Sequence, residues 1–72
     1  MSERQPADTL AAALPREIER VAKLIPQYRA VEMGFIAAGM MQRSLDAAQA
    51  AIASADLVGM IRAYEDLKGY SL

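Results

Sequence analysis

The chain contains no cysteine, no histidine and no tryptophan among its 72 residues. Without cysteine there is no disulfide to staple a small fold, and Cys/His metal clips are equally excluded. The commonest general base and the thiol nucleophile are absent as well. The four serines, Ser2, Ser44, Ser54 and Ser71, have no activating neighbour in sequence. Glu65 and Asp66 are adjacent, so on a helix they point about 100° apart and form no acid/base pair. These absences predict a non-enzymatic chain with no cofactor and no metal.

An excess of one charge is missing too. Eight Lys and Arg stand against nine Asp and Glu, a formal net charge of −1. Nonspecific nucleic-acid binders and proteins that adhere to anionic membranes need a basic face, and the composition argues against both. Long hydrophobic runs are also lacking. The central charge-free stretch spans only Met33 to Gln42, far short of the ~20 residues of a membrane span. The start, Met-Ser-Glu-Arg-Gln-Pro, is polar and carries both signs, unlike a signal peptide. The expectation is a soluble, cytoplasmic protein without nucleic-acid or membrane partners.

What is present is alanine and a helical rhythm. Apolar residues make up 54% of the chain, 15 of them alanine, and Leu, Ile, Val and Phe together number 16. A chain of this length buries only about 60% of its unfolded surface and is marginal alone. Closing over a second copy would recover stability, and a homodimer is expected. Leu14, Ile18, Val21, Ile25 and Tyr28 step along one side of a helix, the seam breaks at Glu32, and it resumes at Phe35. A second seam runs Met41, Leu45, Ala48, Ile52. A spacing averaging 3.5 residues suits helices that pack lengthwise.

The fold expected is all-α, three helices in a hairpin-like antiparallel chain that assembles as a homodimeric bundle. Residues 1–7 read as a disordered segment ahead of a single helical domain over 8–70. Helix one runs from residue 8 or 15 to 32, with Asp8 or Thr9 as cap and Pro15 as either first helical residue or kink. Pro26 should bend or interrupt it. Gly34 marks the break before helix two, 35–53. Asp56 caps helix three, 57–68, whose inner face is expected to carry Leu57, Ile61 or Met60, Tyr64 and Leu67. Lys68 and a left-handed Gly69 should end it, with Tyr70 folding back over Tyr64.

The residues expected in the core or a dimer seam are Ile18, Val21, Ile25, Tyr28, Met41, Leu45, Ile52, Ile61, Tyr64 and Leu67. The candidate partner surface lies elsewhere. Met33, Phe35, Ile36 and Met40 cluster where the seam is interrupted, and Arg29 and Arg43 flank them. Methionine is flexible and polarizable and serves both as core filler and on surfaces that accommodate partners. Ala30, Gly34 and Ala38, with Gly39 beside them, would let another helix approach closely, within the chain or from a second copy. Helix two, a tight turn and helix three superficially suggest a small DNA-binding regulator. The would-be recognition helix, however, carries Glu65 and Asp66 beside Arg62, and phosphates would repel them.

From Glu17 to Gly69 the chain resembles small early-region proteins of Mu-like transposable phages. Three stretches carry the resemblance: Glu17-Ile18-x-x-Val21 with Tyr28 downstream, the Gly34/Gly39 segment followed by Met40-Met41, and Asp56-Leu57-x-x-Met60-Ile61-Arg62-Ala63-Tyr64-Glu65-Asp66-Leu67-Lys68-Gly69. The family includes dimeric helical anti-activators that inhibit quorum sensing. The resemblance therefore implies a phage-encoded protein-binding inhibitor acting in the host cytoplasm. The partners it implies are a LuxR-type quorum-sensing transcription factor and the type IV pilus assembly ATPase. The other reading of the seams is a structural, self-assembling helical module.

Overall fold

The computed structural model describes residues 9–71 and is all-α. The segment 1–7 and the candidate cap Asp8 lie outside the described residues. Three helices follow one another: α1, Leu10–Arg29; α2, Gly34–Ala53; and α3, Leu57–Lys68. Each packs against the other two.

Thr9 caps α1. Its hydroxyl oxygen accepts from the backbone N–H of Ala12 at 3.2 Å, satisfying one of the donors that a helix start leaves open. The helix then passes through both prolines without ending. Pro15 is neither its first residue nor a boundary, and Pro26 does not interrupt it. Each proline removes the donor that would reach the carbonyl four residues earlier, on Ala11 and Ala22. Both prolines and both alanines lie on the exposed side, where water can satisfy the freed carbonyls.

Glu32 falls in the linker over 30–33, after α1 has ended, and no charge cuts through a core stripe. Gly34 opens α2 because nothing larger fits. A Cβ at this position would stand 1.6 Å from the Tyr28 carbonyl oxygen and 2.7 Å from Val31 Cγ2. At the other end of α2 the chain reverses through Ala55 at φ 56°. Asp56 N–H donates to the Ala51 carbonyl at 2.9 Å, and Ala55 N–H donates to Ile52. This is the left-handed helix stop that glycine ordinarily occupies. Asp56 then caps α3, accepting from Gly59 N–H at 3.0 Å. Gly69, expected to be left-handed, is instead right-handed with φ −75°. Among the described residues the positive-φ positions are Met33 and Ala55.

Leu14, Val21, Leu24 and Ile25 from α1 meet Ala38, Met41, Leu45 and Ala48 from α2, and Ala63 and Leu67 close the core from α3. Ile18, Tyr28, Met60 and Tyr64 pack against this cluster while remaining partly exposed. Two expected core residues stand outside it: Ile52 is 42% exposed and Ile61 48%. Ala51 takes the inward place near the end of α2, and Met60 with Ala63 takes it on α3, so Leu57 faces out as well. At these two positions the inward place lies one residue earlier, while Val21, Ile25, Met41, Leu45 and Leu67 are in the core as expected.

Polar contacts fix the end of α3. Arg20 donates from Nη2 to the Leu67 carbonyl at 2.9 Å and from Nη1 to the Tyr70 carbonyl at 2.8 Å. Glu17 holds the guanidinium in place at 3.0 Å. Tyr70 reaches Ser44 across a 2.9 Å hydroxyl–hydroxyl bond, and the Tyr28 hydroxyl donates to the Ser71 carbonyl. Lys68 approaches Tyr64, its ammonium 5.0 Å from the ring centroid.

Candidate docking face of the second helix

α2 has apolar residues around much of its circumference. Gly34, Ala38, Met41, Leu45, Ala48 and Ala51 are buried. The opposite side carries Ile36, Gly39, Met40, Arg43, Ala47 and Ala50, all exposed. At 100° per residue these six fall within one strip along the helix. Gln42, Asp46 and Gln49 are exposed on α2 as well, but beside them this strip turns alanine, glycine, isoleucine and methionine to water with Arg43 as its one charge.

Every residue of the candidate surface lies outside the core. Met33 is 63% exposed and Phe35 66%, and Ile36 and Met40 are about half exposed. Arg29 and Arg43 are exposed at the border. The methionines separate cleanly, because Met41 is 1% exposed and belongs to the core. The small-residue stripe divides in the same way. Gly34 and Ala38 are buried, Ala30 belongs to the linker, and Gly39 points into open space with no atom within 4 Å of where its Cβ would be.

The two ends of the outer strip differ in shape. The N-terminal end projects Phe35, Ile36 and Met40, with Val31 and Met33 beside them. The C-terminal end sinks into a groove between α2 and α3, floored by Ala47, Ala50, Ala51 and Ala63 and edged by Asp56, Arg62 and Asp66. Sequence reasoning missed this groove. Its signal was the spacing of alanines on α2 opposite Gly59 and Ala63. A second exposed apolar cluster, Leu57, Val58 and Ile61, lies on α3.

The electrostatics are mild. Among the described residues, no group of three or more acidic, histidine or cysteine side chains is placed to hold a metal ion. Among the same residues no helix is long and apolar enough to cross a membrane. The chemistry this face offers is contact: apolar side chains that gain about 25 cal/mol for each Å² removed from water, bordered by guanidinium groups. No protein-family model, no curated protein and no solved structure matches the chain.

Proposed function

We propose that the protein is a non-enzymatic, homodimeric protein-binding inhibitor that works through the outer face of α2. The observation that carries this reading is the exposed cluster of Met33, Phe35, Ile36 and Met40 at the start of α2. Contiguous exposed apolar residues with a polar border mark protein-interaction sites. Aromatic, methionine and arginine side chains are those enriched at such interfaces. Phe35 is the natural anchor, and Arg29 and Arg43 suit an acidic border on the partner.

The partner class comes from the resemblance to early-region proteins of Mu-like phages. It is a host regulator, a LuxR-type quorum-sensing transcription factor, with the type IV pilus assembly ATPase as a second target in the host cytoplasm. The test is direct titration of the labelled full chain with each purified candidate. Binding in the micromolar range or tighter is expected for the transcription factor, with Phe35→Ala weakening it about thirtyfold, as for loss of a hot-spot residue. No binding to either candidate at about 100 µM, an affinity too weak for sequestration, would overturn the assignment of partner.

A further inference from the structure

We infer that Met33 and Met40 are oxidation sites through which peroxide switches off the docking face of α2. The inference rests on the reading of this face as a docking surface and names its regulation.

Sulfur carries the argument. The chain has no cysteine, so the thioethers of methionine are its most readily oxidised groups. The described methionines fall into separate environments. Met33 is 63% exposed and Met40 49%, whereas Met41 is 1% exposed within the core. Met60 packs against the core while remaining partly exposed, and lines an apolar cavity with Leu10, Leu14 and Ile52. The two most exposed methionines therefore both belong to the candidate docking cluster. Met33 is the N-cap of α2, and Met40 lies one turn beyond Ile36 on the same side of the helix. They stand at either end of the segment that presents Phe35 and Ile36.

The step is an oxygen-atom transfer. A sulfur lone pair of Met33 or Met40 attacks one oxygen of hydrogen peroxide, and an S–O bond forms as the O–O bond breaks. The departing hydroxide takes the proton from the new S–OH and leaves as water. Sulfur is oxidised by two electrons to the sulfoxide, and peroxide is reduced by two. A thiol-dependent sulfoxide reductase reverses the change, giving back the thioether with water and a disulfide. The sulfoxide is polar where the thioether was apolar, and burying it against an apolar partner without a donor is unfavourable. A partner that covers Phe35 and Ile36 buries the flanking thioethers with them, so oxidation releases it. Met41, enclosed in the core, keeps the fold intact while the face changes.

Dilute hydrogen peroxide acting on the pure full chain tests this without any host protein, so its outcome is separate from that of the titration above. Trypsin releases residues 30–43 as one peptide carrying Met33, Met40 and Met41, and its fragment masses report oxidation at each. Met33 and Met40 are expected to oxidise at least about tenfold faster than Met41, whose sulfur reacts only when the core opens. Met60 falls between. The helical spectrum stays unchanged at that stage. Binding of the apolar dye 8-anilinonaphthalene-1-sulfonate falls about twofold and returns after treatment with methionine sulfoxide reductases and a dithiol. The double variant Met33→Leu with Met40→Leu loses this response to peroxide. Equal oxidation rates at Met40 and Met41 overturn the proposal. So does a dye signal that stays level once Met33 and Met40 are oxidised, or one that falls as far in the double variant.

Discussion

The guanidinium of Arg20 closes the end of α3 by donating to the carbonyl of Leu67, 47 residues further along the chain. Tyr70 receives a second bond from the same group. The last carbonyls of a helix lack partners of their own, and a cation at that end also meets the negative pole of the dipole. Arg20→Ala should therefore lower stability by about 1.5–3 kcal/mol, the range for a charged hydrogen-bonding group. For a chain of this size that is a fall of roughly 6–24 °C in melting temperature. Amide exchange should accelerate most at the C-terminal turn of α3. A melting temperature within 2 °C of wild type would show that the clamp contributes nothing.

Ala55 holds a left-handed φ of 56° at the exit of α2, a region that costs a residue with a Cβ about 1–2 kcal/mol. Ala55→Gly relieves that strain while increasing the freedom of the unfolded chain. The net expectation is about 0.5–1 kcal/mol of added stability, read as a higher midpoint in urea with an unchanged slope. A lower midpoint would contradict the geometry of this turn.

Adjacent methionines should behave in opposite ways. Met41→Ala opens a void in the core and should cost about 2–5 kcal/mol. Met40→Ala, on the outer face, should leave chemical stability of the monomer within about 0.5 kcal/mol. Equal losses at both sites, measured by dilute urea denaturation, would mean that the two residues share one environment.

Gly34→Ala places a methyl group against the carbonyl of Tyr28, with Val31 also in the way. Backbone cannot yield as a flexible side chain can, so the linker has to reopen. A loss of about 1–3 kcal/mol is expected, as in overpacked sites, accompanied by a fall in helical ellipticity. Wild-type stability in this variant would show that α1 and α2 do not approach as closely as described here.

Much of the helical framework is readable in the chain because its causes are local. Thr9 and Asp56 are side chains that cap the next turn, and the stepping of Leu14, Val21, Ile25, Met41 and Leu45 marks the buried side of each helix. Of the two roles open to Pro26, interruption does not occur, because the carbonyl it frees, on Ala22, lies on the exposed side where water can satisfy it. Ile52 and Ile61 do mislead. Both continue the heptad rhythm, yet they are exposed, and the residue one place earlier, Ala51 or Met60, takes the inward position. The exposed cluster at Phe35 was visible as apolar residues beside a break, but the groove that ends the same strip needs α3 laid against α2.

Residue type and spacing alone determined three helices, the Asp56 cap, the glycine between α1 and α2 and most of the side that α1 and α2 turn inward, because periodicity and capping act within a turn or two of chain. Only the tertiary structure decided that Met41 is core and Met40 is surface, that Gly39 faces open space while Gly34 is enclosed, and that Arg20 secures Leu67 and Tyr70. Each of these depends on which atoms from a distant part of the chain arrive beside a residue. Burial and long-range hydrogen bonds are properties of that meeting, and no local pattern specifies it.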